Sequence, residues 1–204
     1  SAPFVLAVAS DHPCGEPIQL RLLLSSEAGG GLVEFALPTG SPGIAGQPQP
    51  FGLAGVSIAI PDNNATGVTV QVPVFGMGGP GVLIGDVDFK FEGDVCSTAV
   101  GATGVGLSHT WVGDLVVTLT SPNGTRVRVI NRPGGADPGS SGNNFCQTRL
   151  DDDGPWASIQ NIPSSGMGAP YQGSWLPAES LAAFDGGVAE GTWVLTVQDL
   201  AAID

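Results

Sequence analysis

The sequence predicts an all-β protein, and three features carry that expectation. Apolar and polar residues alternate with a period of two in several short runs, the spacing that places successive side chains on opposite faces of a strand. Glycine (32) and proline (17) punctuate the intervals between those runs, while the period of an Ala- or Leu-rich helix is nearly absent. Valine, isoleucine and threonine fill the runs, and a branched Cβ suits a pleated surface.

The densest patterning lies between Leu107 and Thr125. Leu115, Val117 and Leu119 share one face of an extended segment, and Val116, Thr118 and Thr120 share the other. Thr125 to Ile130 alternates again after Ser121-Pro-Asn-Gly124, where proline presets φ and Asn-Gly tolerates positive φ. This is the signature of a β-hairpin. Asp114, next to Gly113 just before the first strand, is an acid on a tight loop, placed either to cap backbone N–H groups or to hold a cation.

Upstream, Phe4–Val8, Ile18–Leu24 and Leu32–Leu37 read as strands. Three strands do not readily close a sandwich, so residues 1–40 are expected to be a partial β-module or the tail of an upstream domain. Residues 41–54 fall in a patternless stretch of Gly, Pro, Ser and Gln and read as a linker. The compact unit is expected over 55–204. Within it, Val56–Ile60 reads as a strand, Pro61–Asn64 as a turn and Gly67–Val74 as a strand. Val82–Phe91 follows, with Val87, Phe89 and Phe91 on one face and Asp86, Asp88 and Lys90 on the other, the pattern of a half-buried strand. A glycine-rich loop from Asn131 to Asn144 leads into Phe145–Leu150 and the acidic run Asp151-Asp-Asp153. Ile159–Leu176 has apolar residues without a period and reads as a long surface excursion. Leu181–Gly187 reads as a short helical turn or loop, and Gly191–Val197 as the last strand. About seven or eight short strands separated by turn signals indicate a β-sandwich or jelly roll.

Six basic residues against nineteen acidic ones give a formal charge of −13. A phosphate backbone would be repelled, which argues against nucleic acid as a partner. No apolar run approaches the roughly eighteen residues of a membrane span, and no basic region followed by an apolar one marks a signal segment. Three cysteines, Cys14, Cys96 and Cys146, permit one disulfide and one leftover thiol.

The run His109-Thr-Trp-Val-Gly-Asp-Leu-Val-Val-Thr-Leu-Thr-Ser-Pro-Asn-Gly-Thr125, followed by Phe184-Asp-Gly186 and Gly191-Thr-Trp-Val-Leu-Thr-Val-Gln-Asp199, resembles the P domain (P/Homo B domain). That module follows the subtilisin-like catalytic domain of furin- and kexin-type proprotein convertases and decorates many secreted bacterial proteases. The resemblance extends from about Val56 to Asp204 and implies a jelly-roll-like, galactose-binding-like β-sandwich without an active site. It further implies a secreted or cell-surface bacterial protein in which the module packs on and stabilises a serine or metallo-endopeptidase domain. Members of the family usually add one more apolar strand after the last one seen here. An unpaired sheet edge is therefore expected, open to a neighbouring subunit. An extracellular adhesion or assembly module that binds a neighbouring subunit or a glycan is the alternative.

The histidines are His12 and His109. Ser108 and His109 are neighbours on an extended segment and point apart, so they do not form a catalytic dyad; the His109 ring is expected to hydrogen-bond at the sandwich edge instead. Neither His-Glu-x-x-His nor paired Cys-x-x-Cys is present, so no zinc site is indicated. Calcium is the cofactor the acids suggest. It takes six to eight oxygens, and Asp114, Asp151, Asp152, Asp153 and Asp199 put carboxylates at loop ends, with Asn143 and Asn144 as further oxygen donors. Asp114, Asp151, Asp152 and Asp199 form the candidate ligand set; the alternative is that these acids cap turns and face water. Asp86 and Asp88 are expected to be exposed and not to bind metal. Cys96 and Cys146, just before the central strand and just before the acidic run, are expected to form the disulfide. Trp111, Phe145, Phe184 and Trp193 are expected in or near the core.

Overall fold

The computed structural model describes residues 17–26, 29–37, 46–55, 58–77, 82–135 and 139–202. The predicted strand Phe4–Val8 and Cys14 lie outside the described residues. The chain divides into two units, Ser1–Pro48 and Gln49–Asp204. In the first, β1 (Ile18–Ser26) and β2 (Gly29–Leu37) form an antiparallel ribbon. Leu20 lies opposite Phe35 and Leu22 opposite Val33, while Arg21 and Glu34 pair at 2.7 Å on the other face.

The second unit contains β3 (Asn64–Val74), β4 (Phe89–Phe91), β5 (Leu115–Thr120), β6 (Arg126–Asn131), β7 (Phe145–Leu150), β8 (Tyr171–Trp175) and β9 (Gly191–Asp199). Its helical content among the described residues is three single 3-10 turns, at Val112–Asp114, Ile159–Asn161 and Leu181–Phe184. The protein is all-β, as expected. One sheet is antiparallel with strand order β3-β9-β5-β6; the other has order β4-β7-β8, with β7 and β8 parallel.

A single apolar cluster joins the inward side chains of both sheets. Leu115, Val117 and Leu119 on β5, Val127 and Val129 on β6, and Trp193 and Val197 on β9 come from the first sheet. The second contributes a file of rings: Phe91 stacks on Phe145 at 5.5 Å, and Phe145 meets Tyr171 at 5.9 Å. Phe184 packs edge-on against Trp193 at 5.0 Å. Two layers with interdigitated apolar faces are the usual way for amphipathic sheets to exclude water.

The predicted hairpin is present. Its turn is closed by Ser121 N–H on Thr125 O and Gly124 N–H on Ser121 O, both at 2.9 Å, with Gly124 at φ +88°. β5 is buried on both faces, not one, because β6 and β9 flank it and their longer side chains cover its outer face.

Three other segments differ from expectation. Residues 58–60 are not strand. Between Val82 and Phe91 the strand is confined to Phe89–Phe91, with one isolated bridge from Leu83 to Val188, yet the alternation of faces holds: Phe91 is buried while Asp86, Asp88 and Lys90 are exposed. Ile159–Leu176 is not a surface excursion. Ile159, Ile162 and Tyr171 are buried and β8 lies within this stretch, paired in parallel with β7. A single 3-10 turn and a five-residue strand are too short to write a period into the sequence.

The last strand, β9, is paired on both sides, by β3 and by β5, so the expected unpaired edge does not fall there. The edges of this sheet are β3 and β6. The β6 edge is blunted by side chains that mimic a strand. Arg128 N–H donates to Glu179 Oε2 at 2.7 Å and Asn131 N–H donates to Gln160 Oε1 at 3.1 Å, while Arg128 O and Val129 O accept the N–H groups of Glu179 and Ala178.

Cys96 and Cys146 are bonded, 50 residues apart in sequence, and tie the loop before β5 to β7. In the chain-entropy treatment a closure of this length restricts the unfolded chain by about 4 kcal/mol. Reduction, or the double substitution Cys96→Ser/Cys146→Ser, is expected to lower the unfolding free energy by about that amount, read as a lower urea midpoint; an unchanged midpoint would show the bond to be energetically idle.

Candidate functional site

A buried polar centre lies where β5 begins and β9 ends. The 3-10 turn Val112–Asp114 is pressed against residues 139–142: Val112 N–H donates to Gly142 O at 3.0 Å and Gly113 N–H to Ser140 O at 2.9 Å. This approach requires glycine at 113, because a Cβ there would sit 2.1 Å from the Ser140 nitrogen. The turn carries Asp114 inward to 1 % exposure. Leu115 is the cross-strand partner of Asp199, so the second carboxylate arrives at the same place, fully buried.

Each aspartate is answered locally. His109 Nε2 lies 3.3 Å from Asp199 Oδ2, with the His109 side chain only 7 % exposed. Asp199 Oδ1 accepts the Ala201 N–H at 3.0 Å. A guanidinium nitrogen of Arg132 lies 4.0 Å from Asp114 Oδ1, and Asp114 O accepts the Leu200 N–H at 3.0 Å. Asn144 holds the histidine in place. Its Oδ1 accepts the His109 N–H at 2.9 Å, its own N–H donates to His109 O at 3.1 Å, and its Nδ2 donates to Ser97 O and Ala99 O. The ring therefore makes a structural contact, with Asp199 as its partner. Asn144 and Arg132 carry roles that sequence reading did not assign. The only local signal was an asparagine between a glycine-rich loop and a strand, and Asn144 indeed adopts φ +70°, a conformation that asparagine tolerates.

A second group of acids lies on the surface. Asp86, Asp152 and Asp153 bring one carboxylate oxygen each within 4.8 Å of one another, the one such group of acidic, histidine or cysteine side chains among the described residues. Asp152 Oδ2 accepts from the Ser180 hydroxyl and from the Ala182 N–H at 3.1 Å, capping the 3-10 turn Leu181–Phe184. Asp151 is nearly buried and spent on its own turn. It accepts the Asp153 N–H at 2.9 Å and the Trp156 Nε1–H at 3.1 Å, and it pairs with Arg149 at 3.1 Å. Arg149 also reaches Asp88 at 2.6 Å, and that hydrogen bond raises its pKa further.

The crowding registers in the titration of these carboxyls. Burial, then Asp88, Asp153 and Asp151, hold Asp86 above the ordinary carboxylate value, against a lowering hydrogen bond from the Val87 backbone. Burial, then Asp152 and Asp153, do the same to Asp185. Burial also pushes Asp152 upward, but its hydrogen bonds from Ser180 and from backbone N–H groups outweigh that and leave it lowered.

The four acids singled out as a ligand set, Asp114, Asp151, Asp152 and Asp199, are not brought together. Asp114 and Asp199 share the buried centre with a histidine and an arginine, and Asp151 is held by Arg149 and Trp156. Only Asp152 belongs to the surface group, where its companions are Asp153 and Asp86. The division follows from topology, since Asp114 and Asp199 end strands of one sheet while Asp151 follows a strand of the other. Asp86 is exposed as expected, and it is the residue that spacing did not nominate as a ligand. Asn143 does not supply an oxygen there; its amide donates to Thr98 O at 3.0 Å.

Substitution of Asp199 by alanine removes the carboxylate that faces the His109 ring and the acceptor of the Ala201 N–H. Stability is expected to fall by about 1–3 kcal/mol, the cost of buried polar groups left without partners, measured by urea unfolding. A loss no larger than that of an exposed control substitution would show that the centre does not hold the strand ends.

Comparison with known proteins falls on this region. The proprotein convertase P-domain family model matches residues 102–204, half of the chain, and the match spans β5 to β9 together with the whole His109–Asp114–Arg132–Asp199 centre. No curated protein and no solved structure matches the chain. The P domain is a non-catalytic accessory domain of proteases. A histidine tied to a buried aspartate at the end of a sandwich fits that role, and the chain belongs to the proprotein convertase P-domain family.

Proposed function

We propose that this chain is a non-catalytic module of a larger secreted protease, which it stabilises by packing against the neighbouring protease domain. The family match over residues 102–204 is the observation that carries the reading. The Cys96–Cys146 bond supports the secreted setting, because such bonds persist outside the reducing cytosol. No helix among the described residues is long and apolar enough to cross a membrane. Excising residues 55–204 from the parent polypeptide is expected to shorten the half-life of its proteolytic activity at raised temperature. An unchanged half-life would sink the accessory reading.

Calcium on the acidic loops belongs to the same proposal. Asp86, Asp152 and Asp153 offer three carboxylates to a hard cation, which would take its remaining oxygens from water and backbone carbonyls. A bound divalent ion would also offset the repulsion among carboxylates that adds to burial in raising Asp86 and Asp185. Thermal melting with calcium and with EGTA tests this. The midpoint is expected to rise with calcium and to stop responding in Asp153→Asn; a midpoint indifferent to EGTA removes calcium and leaves the accessory role standing.

A further inference from the structure

The chain has six basic residues, and all six are described. Five are engaged with carboxylates: Arg21 with Glu34, Lys90 with Glu92, Arg128 with Glu179, Arg132 with Asp114, and Arg149 with Asp88 and Asp151. Arg126 is the exception: its side chain makes no ion pair or hydrogen bond to another described residue. In a chain of formal charge −13, an arginine left without a carboxylate is notable.

Its surroundings are distinctive as well. Arg126 stands on the face of the four-stranded sheet turned away from the core. Across that face Thr69, Thr196, Thr118 and Arg128 are successive cross-strand partners, and the next row runs through Val194 and Thr120 to Arg126. Neither row contains a carboxylate. Thr118 is only 5 % exposed and forms the floor of a basin of about 280 Å³, walled by Arg126, Arg128, Glu179 and Gln198. The walls are fixed: Arg128 Nε donates to Glu179 Oε1 at 2.8 Å, and Gln198 Nε2 donates to Ala65 O. The Thr118 hydroxyl, like the Arg126 guanidinium, makes no hydrogen bond to another described residue.

The geometry points to this face as the surface that docks the neighbouring protease domain, anchored by a carboxylate of that domain seated in the basin against Arg126 and Thr118. The inference takes its partner from the accessory reading and adds the face and the anchoring residue. In a chain of formal charge −13, an acidic group meets here an uncommitted guanidinium, the Glu179 carboxylate of the basin being already paired with Arg128, and the planar guanidinium fork matches a carboxylate with two hydrogen bonds. Beside the basin, Thr69, Thr196, Val194 and Thr120 present a neutral area, as the centre of an interface requires. The β6 edge is already occupied by Glu179 and Gln160, so approach over the face is favoured there over strand addition.

The test uses the parent polypeptide carrying Arg126→Glu, Arg126→Ala or Arg126→Lys, with thermal inactivation of its proteolytic activity as the readout. The 204-residue chain bearing the same substitutions is melted alongside as a control. Arg126→Glu is expected to speed inactivation about tenfold, as loss of one charge-assisted contact would, Arg126→Ala less, and Arg126→Lys least. The isolated chain should melt at the wild-type midpoint throughout. If excision of residues 55–204 speeds inactivation and Arg126→Glu does not, this face is not the docking surface although the accessory role stands. If excision has no effect, the accessory role fails and the inference falls with it. A lowered midpoint in the isolated Arg126→Glu chain would make Arg126 a structural residue and likewise overturn the docking surface.

Discussion

Two carboxylates are buried at the junction where β5 begins and β9 ends, and the order of the sandwich depends on their being answered there. An uncompensated charge in an apolar interior is costly enough that it either finds a partner or expels itself to water. Asp199 finds His109 and the Ala201 N–H, and Asp114 has Arg132 beside it. These contacts tie three distant stretches together: the loop before β5, the end of β9, and the segment after β6. Because β5 and β9 are the two interior strands of the four-stranded sheet, fixing their relative register at this end propagates to β3 and β6. Polar contacts of this kind add little net stability compared with apolar burial, but they discriminate sharply against a slipped register, which would leave both aspartates buried and unpaired.

Glycine at 113 and asparagine at 144 are the backbone conditions for that junction. The first lets residues 139–140 lie directly against the 3-10 turn, and the second takes a left-handed conformation that turns its amide toward both His109 and the loop held by Cys96. The disulfide then anchors that loop to β7. A chain of contacts runs from the surface loop, through Asn144 and His109, to the last strand. It ties the loop before β5 to the end of β9 through side-chain and backbone contacts.

The charges are segregated. Asp86, Asp88, Asp151, Asp152 and Asp153 gather at one rim, opposed by a single arginine, Arg149. The outer face of the four-stranded sheet is lined with threonine, valine and glutamine and carries Arg126 uncommitted. The rim is where we propose a hard cation, and the sheet face is where we propose a carboxylate-bearing protein surface.

Much of this was legible before the fold was known. The all-β class, the 115–130 hairpin with its Pro-Asn-Gly turn, and the inward set Leu115, Val117 and Leu119 follow from spacing and local chemistry, because a strand's faces and a turn's φ angles are written within a few residues. The motifs from His109 to Asp199 likewise pointed to the P domain. What spacing could not settle is which acids meet. Asp114, Asp151, Asp152 and Asp199 look alike in sequence, each at a loop end, yet two are buried in one sheet's junction, one is held by Arg149, and one joins Asp86 on the surface. That sorting, like the pairing of β8 with β7 and of β9 with two partners, depends on contacts between residues tens of positions apart, set by how the two sheets stack rather than by any local preference of the chain.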